Sequence, residues 1–232
     1  MIDLPEFPKF KAVELEDRRL FQEVLRLYEP DTSELTFTNL FIWRSHYRFE
    51  WTMWKNWLLV LCSEGEDDVC ALMPLGPSPR DEVSRVLLEW MGAEKGTEHP
   101  RIVRADERLV SELAGSGDIS VEATRDHFDY VYLRDDLAEL KGNRYRSKRN
   151  HINQLFRSYR YEYLSLDRGA HIEDCIKVQE KWCGQRRCED DLDLLGEWEA
   201  VREILGSYES LELQGGVLLI DGNVAGFTRG EL

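Results

Sequence analysis

The sequence is expected to carry no membrane span and no secretory leader, and it has few cysteines. Its longest strongly apolar run, Trp57–Cys62, is far shorter than the roughly 20 residues a helix needs to cross a bilayer. The amino terminus, MIDLPEFPKFKAVELEDRR, lacks the apolar central region of a secretory signal. Those two absences make the cytoplasm the default compartment. The five cysteines (Cys62, Cys70, Cys175, Cys183 and Cys188) are odd in number and sit mostly inside apolar segments, which suits reduced, packed thiols. His171 and Cys175 share a helical face, with Cys183 and Cys188 further on. Paired Cys-x-x-Cys spacings are missing, however, and this speaks against zinc. The chain has no GxSxG, HExxH or Walker-type loop, so hydrolase and nucleoside-triphosphatase chemistry have no support. Low-complexity linkers and internal letter repeats are also missing.

What the chain does contain is a globular balance: 42% hydrophobic and 32% charged residues over 232 positions, enough for one large domain or two smaller ones. Seven tryptophans, nine tyrosines and nine phenylalanines supply the core with large apolar surfaces. A formal charge of −15 argues against non-specific nucleic-acid binding over the whole surface, and leaves room for one local basic site.

Periodicity divides the chain into short elements. Leu20, Phe21, Val24, Leu25 and Tyr28 predict an amphipathic helix over 17–28. After the dense aromatic stretch Phe37–Trp57, the runs Trp57–Cys62 and Val69–Leu75 flank the acidic turn SEGEDD and predict an antiparallel strand pair. A helix over 81–91, a short strand at Ile102–Val103, a helix at Asp106–Leu113 and a strand at Phe128–Leu133 follow. From Tyr161 the order reads strand, helix, helix, strand, strand, with Asp221-Gly222-Asn223 turning a final hairpin. The fold class expected is α/β, as a mixed α+β layer, with domains over 1–140 and 141–232. A hairpin edge ending at Glu231-Leu232 with no covering element would be an aggregation hazard, so the natural chain is expected to continue past Leu232.

One segment departs from the acidic background. Lys141, Arg144, Arg146, Lys148, Arg149, Arg157 and Arg160 fall within 20 residues that contain no Asp or Glu, on a helix expected over Arg144–Arg160. Its apolar stripe is Tyr145, Ile152, Leu155, Phe156 and Tyr159; Lys148 falls inside it and Arg149 at its edge. A cation on a core-facing stripe requires an anion, either a buried carboxylate or the phosphate or carboxylate of a ligand. The outward Arg146, Arg157 and Arg160 read as a solvated face or as a hold on an RNA backbone.

The segment LKGNRYRSKRNHINQLFRSYRYEYLSL (Leu140–Leu166), with EKWC (Glu180–Cys183) and GGVLLIDGNVAGFTRGE (Gly215–Glu231), resembles a family of bacterial proteins related to the carboxy-terminal domain of phosphatidylglycerol lysyltransferase. FTNLFIWRSHYRFEW (Phe37–Trp51) is similar to the first half of that family. A helix of this K-x-R-N type leading into a strand is also similar, more distantly, to the Fem-type peptidoglycan transferases, which use aminoacyl-tRNA.

The resemblance implies two acyltransferase folds of the GNAT type in tandem, the second incomplete at its carboxy terminus. It also implies transfer of an acyl or aminoacyl group, with aminoacyl-tRNA or acetyl-CoA as donor and tRNA held by helix 144–160. The acceptor stays open among a small molecule, a peptide and a lipid headgroup. These 232 residues do not include the membrane flippase part of the lysyltransferases, so a lipid acceptor is not expected.

In that chemistry Lys148 and Arg149 would hold donor phosphates, with Arg144, Tyr145 and Asn150 beside them. Backbone N–H groups at Gly226, Phe227 and Thr228 would meet the developing oxyanion. Glu231 reads either as a general base or as an ordinary strand-end acid. His151 reads as a surface residue and Trp182 as packing. The competing reading is a non-catalytic GNAT-fold protein that binds RNA or an anionic ligand through the same helix.

Overall fold

A computed structural model describes residues 4–231, except Glu64, Glu66, Asp67, Ser116 and 167–169. Leu232 and most of the acidic turn after Ser63 therefore lie outside the described residues. The chain is α+β and divides into two compact units, residues 1–128 and 129–232. This division falls ahead of the 140/141 boundary expected from the sequence. No helix among the described residues is long and apolar enough to cross a membrane.

Unit 1 runs β1 (Lys11–Ala12), α1 (Arg18–Tyr28), α2 (Phe37–Ile42), β2 (Glu50–Trp54), β3 (Trp57–Ser63), β4 (Val69–Leu72), α3 (Asp81–Glu94), β5 (Ile102–Val103) and α4 (Glu107–Leu113). Its strands form one sheet in the order β1-β2-β3-β4-β5, antiparallel except for the parallel β4–β5 pair. Side-chain caps set the helix starts: Thr36 accepts from the Asn39 amide at α2, and Asp106 from the Leu109 amide at α4. α1 stops at Glu29, which takes a left-handed φ of 39° just before Pro30.

Helices cover both faces of this sheet. On one face Leu59, Leu61 and Ala71 pack against Val83, Leu87 and Met91 of α3. On the other, Trp51 meets Phe21 of α1 edge-on at 5.3 Å, and Phe21 meets Phe37 of α2 at 5.7 Å. Each such side chain contributes roughly 1.5–3 kcal/mol by leaving water. Gly76 lets the loop after β4 press against the Trp57 ring, where any Cβ would collide, and the Trp57 indole donates to the Pro77 carbonyl at 2.9 Å.

Two polar networks lock this core. The buried Asp17 carboxylate accepts from the Trp51 indole at 2.8 Å, the Glu14 amide at 2.9 Å and Lys11 Nζ at 2.9 Å. The buried Arg80 guanidinium grips Glu112 through Nε and Nη2 and lies 3.7 Å from Asp106, tying the start of α3 to α4.

Unit 2 runs α5 (Arg134–Glu139), α6 (Arg146–Ser158), β6 (Tyr161–Ser165), α7 (Ile172–Arg186), α8 (Leu192–Gly206), β7 (Gln214–Ile220) and β8 (Asn223–Gly230). Its sheet is β6-β7-β8, antiparallel throughout. The final hairpin forms as the Asp-Gly signal predicts: Asp221 and Gly222 have φ of 51° and 80°, the pair of positive values that a tight two-residue turn demands.

Two expectations fail. Phe128–Leu133 is not a strand: it follows a 3-10 turn at Arg125–His127 and leads into α5, with Tyr130 and Val131 among the most exposed apolar residues. Alternation makes a segment fit for a sheet, but hydrogen bonds to a neighbour make it a strand, and no strand of either sheet pairs with it. Four cysteines, expected as free thiols, are joined as Cys62–Cys70 and Cys183–Cys188. Cys62 and Cys70 are directly opposed in the β3–β4 register, with Cα atoms 5.0 Å apart, a separation that suits a disulfide. Cys175 alone stays free, and it is buried.

Candidate functional site

The structure sorts the seven cations of Lys141–Arg160 into three groups. Lys141 and Arg144 pair with the acids Glu139 and Asp136 of α5. The Asp136 hydrogen bond pushes the Arg144 pKa up, and its guanidinium lies 4.8 Å from the ring centre of the buried Tyr145. Arg149 donates to the carbonyls of Leu140 and Gly142, so it closes the carboxy-terminal end of α5, where Leu140 takes a left-handed φ of 49°. Arg146, Lys148, Arg157 and Arg160 are exposed and form no ion pair among the described residues. These four cations are open to a ligand.

Lys148 needs no buried partner. The stripe in which it falls is largely uncovered: Ile152, Phe156 and Tyr159 are 38%, 49% and 52% exposed. Periodicity shows which residues share a face, but not whether another element covers it. A second stripe, at the helical spacing i, i+3, i+4, i+7, i+8, is wholly polar. Asn150, Asn153, Gln154, Arg157 and Ser158 line a shallow depression of about 320 Å³ along α6. Of the residues singled out from the sequence, Asn150 and Arg157 join this polar groove. His151 is exposed, 3.4 Å from the Ser147 hydroxyl.

The other candidate residues stand on β8, the edge strand of the second sheet. Gly226, Phe227 and Thr228 face Leu218, Val217 and Gly216 of β7, and a bulge next to Gly226 bends the strand. Being an edge, β8 presents alternate backbone N–H groups to whatever approaches. Glu231 follows it directly and is half-buried. No hydrogen bond, ion pair or ring contact joins α6 to Gly226–Thr228 among the described residues.

One neighbour on this strand escaped the sequence reading. Arg229 is largely enclosed, and burial lowers its pKa to about 10. Among the described residues it has no carboxylate within ion-pair distance; its contacts are the Val201 carbonyl at 3.4 Å and the Phe227 ring at 5.4 Å. The buried Cys175 thiol lies in the same environment, and desolvation pushes its pKa up. A single Arg in an alternating strand carries no signal of enclosure. The cysteine pairs did carry one, since Cys62 and Cys70 flank the predicted turn almost symmetrically. Among the described residues no cluster of His, Cys, Asp or Glu is placed to hold a metal ion.

This arrangement is an α+β chain with a basic, polar-faced helix leading into an antiparallel sheet. It belongs to the family of the carboxy-terminal domain of phosphatidylglycerol lysyltransferase, matched over residues 25–232. Among solved structures, the chain is similar to a conserved protein of unknown function from Bacteroides thetaiotaomicron. The two are 30% identical with a TM-score of 0.84, covering 95% of this chain and 74% of that one. No curated protein matches the chain.

Proposed function

We propose that the chain is an acyl- or aminoacyl-transferase of tandem GNAT type whose α6 helix holds the phosphates of an aminoacyl-tRNA donor. The observation that carries this reading is the set of four exposed, unpaired cations and the polar groove on one helix, in a chain of net charge −15. Family membership supplies the link to aminoacyl transfer. Topology supports the tandem fold. β1-α1-α2-β2-β3 in unit 1 and β6-α7-α8-β7-β8 in unit 2 are the same element order with the same antiparallel strand order, and unit 1 continues into a parallel β4–β5 pair.

A thirteen-residue helix is about 20 Å long, so cations spread from Arg146 to Arg160 match a run of successive phosphates better than a single pyrophosphate. This favours tRNA over acetyl-CoA. In the transfer itself an acceptor amine or hydroxyl attacks the ester carbonyl, the ribose oxygen departs, and the acceptor proton passes to a base. Glu231 is the base in this reading, and the β8 edge amides at Gly226–Thr228 receive the oxyanion.

The test is fluorescence anisotropy of charged and uncharged tRNA, and separately of labelled acetyl-CoA, at several salt concentrations. Lys148→Ala/Arg157→Ala is expected to weaken tRNA binding and to flatten its log–log salt dependence by about 1 to 2. Binding of acetyl-CoA alone moves the donor to coenzyme A. tRNA binding that does not distinguish charged from uncharged forms favours the non-catalytic RNA-binding reading. No binding of either sinks the transferase.

A further inference from the structure

A half-open cavity of about 170 Å³ in unit 1 lies where the parallel β4–β5 pair ends, beside Leu72 and Val103. The carboxyl ends of parallel strands are where open sheets leave room for ligands. Trp43, Tyr47 and Phe49 contribute aromatic walls, and Cys62 of the β3–β4 disulfide lines the cavity too. The volume is close to the roughly 150 Å³ of an apolar cavity that takes one benzene ring.

Two opposite charges also line this otherwise apolar space. Arg104 follows β5 directly, with its side chain only 16% exposed, and forms an ion pair with Glu34, which is 35% exposed. That bond is the only hydrogen bond of its five-donor guanidinium among the described residues, and the Tyr47 ring centre lies 5.9 Å away. Arg104 also holds a left-handed φ of 58°, a conformation that costs any non-glycine residue energy and persists where the surroundings impose it. Asn39 spends its Nδ2 on the Glu34 carbonyl, leaving its Oδ1 as an acceptor beside the pair.

We propose that this cavity binds a free α-amino acid with a large apolar side chain. Its carboxylate goes to Arg104, its ammonium to Glu34 and Asn39 Oδ1, and its side chain to the Trp43–Tyr47–Phe49 walls. A ligand carrying a single charge would break the resident ion pair without replacing both halves, whereas a zwitterion satisfies both. A lysine side chain would have to desolvate its ammonium against indole and phenyl rings and is excluded. The site lies wholly within unit 1 and does not rest on the transfer reading.

Calorimetric titration of the full chain with L-phenylalanine tests it, beside 3-phenylpropionate, phenethylamine and L-lysine. L-Phenylalanine is expected to bind with a Kd near or below about 1 mM, and each of the other three at least about tenfold more weakly. Arg104→Gly keeps the positive φ at no steric cost while removing the guanidinium, and Glu34→Gln removes the opposite charge. Each is expected to cost about tenfold or more in affinity with the thermal transition retained. If Arg104→Gly does not fold, Glu34→Gln alone decides. Undetectable binding of L-phenylalanine overturns the proposal, as does equal binding of 3-phenylpropionate or L-lysine, or unchanged affinity in a folded Glu34→Gln.

Discussion

Strand β3 in unit 1 and strand β6 in unit 2 sit in sheets that begin with the same element order, yet their surroundings are opposite. All five interior residues of β3 are buried, because α1 and α2 cover one face of the sheet and α3 the other. All five residues of β6 are exposed. In the second sheet the burial lies on β7, where Val217 and Leu219 are enclosed, while Tyr163 of β6 lies across Gly216, the position at which any Cβ would collide with its ring. Phe156 of α6 stacks on Tyr161 at 4.6 Å, yet both stay open to solvent. The same topology is therefore buried to different extents, and unit 1 has its sheet covered on both faces, from which it is expected to be the more stable unit.

The sharpest way to break that contrast is Asp17→Ala. It strips the buried Trp51 indole and the Glu14 amide of their shared acceptor and takes one of two carboxylates from Lys11, at an expected cost of about 3–5 kcal/mol. Denaturant unfolding followed by tryptophan fluorescence reads it directly, since five of the seven tryptophans belong to unit 1. A loss under about 1 kcal/mol would mean that the network does not hold the sheet to α1.

Next in size comes Leu87→Ala on the fully buried face of α3, expected to cost about 2–5 kcal/mol in the same experiment. Its counterpart in unit 2, Phe156→Ala, should cost less than about 1 kcal/mol. Equal losses at the two positions would erase the contrast, by showing that the α6 face is covered in solution.

A pH titration sharpens the contrast further. Burial pushes the Glu112 carboxyl up, but hydrogen bonds from Arg80 and Ser78 outweigh it, so its pKa falls below the ordinary 4.5. A depressed carboxyl stabilises the fold above its unfolded pKa, and that contribution is lost as pH drops through the folded value. Unit 1 should therefore lose stability below pH 4.5, and Glu112→Gln should flatten that acid limb. An unchanged acid limb in the variant would show that other groups carry the dependence.

The smallest effect concerns Arg229, whose enclosed cation meets no carboxylate among the described residues. Arg229→Met should leave unit 2 as stable or more stable by about 1 kcal/mol, and a clear destabilisation would reveal an anion that meets it.

Most of the regular elements were legible in the letters, for reasons these two strands illustrate. Trp57–Ser63 and Val69–Leu72 are apolar runs too short for a helix and flank an acidic turn, a pattern that suits a covered strand pair. Asp221-Gly222 signals a hairpin because few residues tolerate the backbone it needs. α3 and α1 declare themselves through apolar residues at helical spacing.

Where the sequence misled, the missing information was a neighbour. Phe128–Leu133 alternates like a strand and pairs with no strand among the described residues, and of the α6 stripe only Tyr145 is buried while Ile152, Phe156 and Tyr159 stay exposed. The site was legible in the same partial way. The basic run stood out as charge, but only the structure separates Arg149, spent on backbone carbonyls, from Lys148 and Arg157, which form no ion pair among the described residues. Arg104 and Glu34 are 70 residues apart, and no local pattern announces their meeting.

The segregation of charge within unit 2 has one more consequence. This unit carries 15 basic and 20 acidic residues, and seven of the basic ones fall within Lys141–Arg160. Unit 2 is therefore expected to carry an uneven charge distribution along its length. It should bind a cation-exchange or heparin resin at low ionic strength as well as the anion exchanger that its net charge demands, presenting a different end to each. An approaching polyanion would feel a torque before it feels an attraction, so orientation would precede contact and productive encounters would become rarer as added salt shortens the reach of the field.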